Sequence, residues 1–150
     1  APIVDSLDRG ITVALGNDGP PCNNTLDPFT EMRQASLLQK VERLDPEVTP
    51  ARAVFEMATL GGARAAGFEE VGALREGWRA DVIALDTDLT RATPLPDPLS
   101  HLVFSAHGDD VTFTMVDGTV VYDEAFGGLQ TGDGDRIRRR AREVAAELHE

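Results

Sequence analysis

The run Ile11-Thr-Val-Ala-Leu15-Gly16-Asn17-Asp18-Gly19 decides how the rest of the chain is read. Large apolar and small residues alternate from Ile11 to Leu15, then Gly16 ends the pattern and an acid follows. Such a segment reads as a short strand buried on both faces, as in a parallel sheet. Asp18 then stands just past the C-terminal end of that strand. An Asp-Gly pair in this position is well explained as turn chemistry. The functional reading comes from geometry: where parallel strands close into a (β/α)8 barrel, this end carries the catalytic side chains.

Working outward, Ala1 to Asp8 read as the middle of a helix, and Asn17 to Asn24 as a polar loop. Asp27-Pro28 supplies a helix cap followed by proline at the first helical position. Phe29, Met32, Leu37, Leu38, Val41 and Leu44 follow at roughly helical spacing and are the expected buried face. Asp45-Pro46 ends that helix. Thr49-Pro50 is expected to cap another, with Val54, Met57 and Ala58 inside it. Gly61-Gly62 should interrupt it, and a small-residue turn through Arg64, Ala65 and Ala66 ends at Gly67.

Beyond Gly67 the pattern changes from helix to strand. Asp81 to Leu85 and Val111 to Met115 read as strands, and Thr119 to Tyr122 as the partner of the second. Asp117-Gly118 between them is a strong two-residue hairpin signal. The proline-rich stretch Thr93 to Pro98 reads as an irregular surface segment. Asp133 to His149 reads as a helix with an apolar stripe of Ile137, Ala141, Val144, Ala145 and Leu148. Its arginines, Arg138, Arg139, Arg140 and Arg142, fall largely off the stripe and predict a solvated, salt-bridged face. One strand followed by helices does not close an α/β layer, so the first half reads as part of a larger structure.

Composition narrows the possible partners. The 150 residues carry 26 acids against 14 lysines and arginines, a net charge of −12, and Lys40 is the single lysine. This balance repels nucleic acid and anionic membranes, so neither is an expected partner. A carboxylate-rich, lysine-poor surface predicts adaptation to high salt, that is, a halophilic protein. No apolar run approaches the roughly 20 residues that cross a bilayer. The lone Cys22 has no internal disulfide partner, which points to a reducing, cytoplasmic setting.

Three further residue groups are candidates for chemistry. His101, His107 and His149 lack metal-ligand spacing and read as surface or loop histidines. Cys22 has no histidine partner in a nucleophile motif and reads as a structural or pocket-lining thiol. Asn23-Asn24 reads as local capping of the loop before the helix rather than as a substrate contact.

The run Gly16-Asn-Asp-Gly-Pro-Pro-Cys-Asn-Asn-Thr-Leu-Asp-Pro-Phe-Thr-Glu-Met-Arg33, with Ala35 to Lys40, resembles the end of the barrel in metal-dependent amidohydrolases. The branch it is similar to is that of S-adenosylhomocysteine/5′-methylthioadenosine deaminases and s-triazine hydrolases. The likeness continues through Glu56 to Thr59, Gly62 to Arg64, Gly72 to Asp86, Ser105 to Val111 and Val116 to Val121. The resemblance implies an α/β fold: a C-terminal fragment of a (β/α)8 barrel, then part of a composite β-sandwich and a C-terminal helix. Residues 1–70 would hold the last barrel strand and helices, 71–126 the sandwich portion, and 127–150 the helix.

It also implies that Asp18 is both a metal ligand and the catalytic proton shuttle. The cofactor would be a divalent cation, Zn²⁺ or Fe²⁺, and the substrate a small purine- or triazine-like heterocycle that is deaminated or dechlorinated. Two departures fall in the substrate-facing loop: Asn17 stands where this branch commonly has Thr or Ser, and Pro20-Pro21-Cys22 replaces a small-residue run. The family's His-x-His pair is missing from this chain. The fragment is therefore expected to be inactive alone, to hold no tight metal, and to self-associate through faces left uncovered. The rival reading is a stand-alone, non-catalytic binding or scaffold module, which the intact mass of the protein from its source would distinguish.

Overall fold

The computed structural model describes residues 1–148, and for Asn23 the backbone alone. The chain has α/β content, with a helical half followed by a small antiparallel sheet. The helical half contains α1 (Ile3–Asp8), α2 (Pro20–Asn23), α3 (Pro28–Arg43), α4 (Ala51–Ala58) and α5 (Leu60–Ala65). Helix α3 starts where the Asp27-Pro28 signal places it. The Asp27 carboxylate accepts the Phe29 N–H at 3.0 Å, a donor that a bare helix end would leave open, and also the Thr30 hydroxyl at 2.9 Å. Its end is marked by Leu44 in the left-handed region.

The buried face of α3 departs from the expected one. Phe29 and Met32 join Val54, Met57, Val103 and Ala106 in the core. Further along, the inward positions are Ser36 and Gln39, while Leu37, Leu38, Val41 and Leu44 are exposed, Leu44 by 90%. Paired hydrogen bonds make the polar face inward. Ser36 Oγ donates to the Thr49 carbonyl at 2.8 Å, and Thr49 Oγ1 donates to the Ser36 carbonyl at 3.2 Å. Gln39 accepts the Val4 N–H and donates to the Ala1 carbonyl, which fastens α1 to α3. A buried polar group satisfied in this way avoids the penalty of about 1–3 kcal/mol for an unmet donor or acceptor. Thr49 is thus engaged with α3 and does not cap α4, whose N-cap is Pro50.

Two other boundaries differ. The break between α4 and α5 falls at Thr59, not at Gly61-Gly62, and Leu60–Ala65 is helical where a turn was expected at its end. The proline-rich stretch is irregular over residues 93–97 as expected, but from Pro98 onward Pro98–Phe104 forms α6, capped by Asp97, whose carboxylate accepts the Leu99 N–H at 3.1 Å. Helix α6 packs on both α3 and α4 and supplies Val103 to the core.

The sheet is a meander of β1 (Val82–Leu85), β2 (Val111–Val116), β3 (Thr119–Asp123) and β4 (Gly128–Leu129), all neighbours antiparallel. Asp117 and Gly118 both have positive φ, 48° and 77°, the requirement of the type I′ hairpin. Just before β2 the buried Asp110 pairs with Arg91 and accepts the His107 N–H at 2.9 Å. The last helix, α7 (Gly134–Glu147), is capped by Asp133 and buries none of its residues. Its arginines form surface ion pairs, Arg138 with Asp135 and Arg140 with Glu143. No helix among the described residues is long and apolar enough to cross a membrane.

The expected strand at Ile11–Leu15 is not one. The segment pairs with no strand among the described residues, and the reason is that no neighbouring edge is present to take its backbone groups. Burial still alternates, with Val13, Leu15 and Asn17 half-buried and Thr12, Ala14, Gly16 and Asp18 exposed. Val13 and Leu15 pack against the core, and the Leu15 N–H donates to the Met57 carbonyl of α4 at 3.2 Å. On the other side, the Val13 carbonyl oxygen lies 2.7 Å from where a Cβ on Gly61 would stand. Only glycine permits that approach of α5.

Candidate active site around Asp18

Asp18 sits in solvent at the end of this tethered segment. Its Oδ1 accepts the Gly19 N–H at 2.8 Å. That backbone hydrogen bond, and next a hydrogen bond from the Cys22 thiol, hold its carboxyl below the usual carboxylate range, with slight opposition from desolvation. Donors aimed at the charged form favour ionisation. The group is therefore a ready anionic ligand or a proton acceptor for an acidified partner, and a weak base on its own.

The flanking residues explain the placement. Asn17, half-buried, donates its amide to Glu31 Oε1 on the first turn of α3 at 3.2 Å. Downstream, Pro20 opens α2 at its first position with Gly19 as N-cap, and Asn24 closes it in the left-handed region with its N–H on the Pro20 carbonyl. Asn24 thus has the local backbone role its sequence context suggested, while the Asn23 side chain lies outside the described atoms. Cys22 is a free, exposed thiol beside Asp18. The contact to Glu31 was not foreseen, because it links residues 14 positions apart.

The histidines do not join this site. His101 is buried on α6 rather than at the surface, since that short helix is packed from two sides. His107 caps the turn that precedes β2. His149 lies outside the described residues. Among the described residues no three His, Cys, Asp or Glu side chains converge to hold a metal ion. Asp18 fits one ligand position, whereas a zinc site needs three or four. A separate cleft of about 980 Å³ between the helices and β1 is lined by Phe29, Met32, Phe55, Leu60, Leu74 and Ile83 among others, and Asp18 does not line it.

The Amidohydrolase family model matches residues 1–121. The chain belongs to the amidohydrolase family. It is similar to the 5′-deoxyadenosine deaminase of Methanococcoides burtonii, with 48% identity over 124 residues, 83% of this chain and 28% of the relative. To the 5-methylthioadenosine/S-adenosylhomocysteine deaminase of Nitratidesulfovibrio vulgaris it is 46% identical over 122 residues, covering 81% and 28% of the two chains. The amidohydrolase chain also superposes on the crystal structure of an adenosine deaminase from Xanthomonas campestris with bound zinc. There the TM-score is 0.94 at 30% identity, over 99% of this chain and 34% of that one. An atrazine chlorohydrolase from Arthrobacter aurescens complexed with zinc matches with TM-score 0.82 and 29% identity, over 96% and 32%. The chain spans about a third or less of each of these proteins.

Proposed function

We propose that this amidohydrolase chain is the C-terminal third of a metal-dependent deaminase of 5′-modified adenosines, with Asp18 as metal ligand and proton shuttle. The observation that carries the reading is an ionised carboxylate at the exposed end of a segment tethered at Leu15 and Asn17. It occurs in a chain 48% identical to a deaminase of 5′-deoxyadenosine. Residues 1–70 would complete a barrel, 71–126 a β-sandwich, and 127–150 the C-terminal helix, reached through the short edge strand β4. A divalent cation, zinc or iron, supplies Lewis acidity when bound. Asp18 would be one of the residues that hold the cation, and its carboxylate takes the proton that the attacking water sheds. It then delivers that proton to the departing ring amine, which leaves as ammonia while the water oxygen stays on the ring carbon. Deamination is favoured over dechlorination because the deaminase relatives are more similar, 48% against 29% identity for the chlorohydrolase.

The test is to supply the full-length protein with zinc and assay 5′-deoxyadenosine, methylthioadenosine, S-adenosylhomocysteine and a chlorotriazine. Ammonia release from the adenosines is the expected result; chloride release from the triazine alone would overturn it. The 150-residue chain by itself should show neither turnover nor tight zinc binding.

The same reading carries an expectation for the isolated chain. Leu37, Leu38, Val41 and Leu44 form an exposed apolar face on α3, and Ile137 and Leu148 lie bare on α7. Uncovered apolar faces of this kind recruit partners. Light scattering should show concentration-dependent self-association, and a clean monomer across micromolar concentrations would count against it.

A further inference from the structure

We infer that Glu31 is a positioning residue for Asp18, acting through Asn17; the inference rests on the proposed role of Asp18. Two anchors bracket the acid's approach. Leu15 is tied to α4 by its N–H on the Met57 carbonyl. Asn17 is tied to α3 by its amide on Glu31 Oε1. Gly16 is therefore suspended between ties to two helices, and Asp18 is one residue beyond the second tie.

The α3 end of that tie is rigid. Glu31 lies in the first turn, where the Asp27 cap fixes the backbone, between Phe29 and Met32, which are 5% and 4% exposed. A carboxylate there also suits the positive end of the helix. Both Asn17 and Glu31 are half-buried, so the bond between them competes less with water than a surface contact would. By contrast, Asp18 is exposed, and its contacts run to Gly19 and to Cys22 of the short helix α2 that follows. Where the loop at Asp18 stands relative to the core is set by the residue before it, Asn17. Partners that orient a ligand in this way typically govern about 10–100-fold in metal affinity or activity.

The consequence is a division of labour in which Asn17 is a bracket and not a substrate contact. Glu31 is the wall the bracket is fixed to. An amide reaches Glu31 where a shorter hydroxyl side chain would have to draw the loop inward.

The test uses the full-length protein with zinc as the metal and 5′-deoxyadenosine as substrate. Zinc affinity is measured by chelator competition, alongside kcat, KM and the thermal midpoint. Glu31→Ala is expected to weaken zinc binding and lower kcat, each by about 10–100-fold, with little change in KM. Glu31→Gln keeps an oxygen acceptor for Asn17 and should stay within a few-fold of the parent. Asn17→Ala should match Glu31→Ala, and the double variant should be no worse than either single one. Unchanged zinc affinity and kcat in Glu31→Ala, additive losses in the double variant, or a Gln variant as impaired as Ala at an unchanged midpoint would each overturn the inference. Asp18→Asn separates this from the underlying reading: if that variant keeps full turnover, the catalytic role of Asp18 fails first.

Discussion

Replacing Asp18 by Asn in the full-length protein should cut turnover about 10²–10⁴-fold while leaving the fold intact. The two side chains are nearly isosteric, and an Asn Oδ1 can still accept the Gly19 N–H that shapes the turn. What disappears is the negative charge and the ability to take a proton. Removing a positioned proton-transfer group has that cost because its pre-set geometry has no substitute in solvent. Zinc content should fall less than turnover, because the remaining ligands come from elsewhere in the protein. Metal analysis, circular dichroism and turnover on the adenosine panel would check all three statements. A variant with near-parental turnover would make Asp18 an ordinary turn residue.

The second large effect is expected on stability, and its order runs against residue burial. Asp110 is 1% exposed and pairs with Arg91, whose side chain is 44% exposed. Removing Arg91 leaves a carboxylate buried with chiefly the His107 N–H to compensate it. Breaking a buried pair from that side should cost about 3 kcal/mol, the lower end of the usual range. Asp110→Ala removes the buried charge itself, and Arg91 can turn into water. The loss there is chiefly the capping bond to His107 and some packing, about 2 kcal/mol. Urea unfolding of the two variants would test the order, and a larger loss for Asp110→Ala would reverse the account.

These two residues also show what a sequence exposes and what it hides. Asp18 stood out because its signal is local, an acid directly after an apolar run, and the surrounding residues resemble a known family. Asp27-Pro28 and Asp117-Gly118 were readable for the same reason, since capping and hairpin turns are decided within three or four residues. Asp97-Pro98 carries the same capping signal, but the surrounding prolines masked it, and α6 was missed. Asp110 with Arg91, and Asn17 with Glu31, join elements far apart in sequence, and no spacing rule announces them. Helix α3 shows a further limit. Periodicity displays its leucine face, but which face meets this chain's own core depends on the hydrogen bonds of Ser36 and Gln39. Ile11 to Leu15 shows another: alternation foretold which residues pack, while strand pairing needs an edge that composition does not supply.

The contact between Gly61 and the Val13 carbonyl has an entropic consequence. Here backbone rests on backbone, at a spacing that leaves no room for a Cβ. A support built from side chains contains rotatable bonds, and each must surrender its freedom to hold a position. This support contains none. The approach to Asp18 therefore starts from a contact whose ordering carries no side-chain entropy cost, unlike the packing of Val13 and Leu15 beside it.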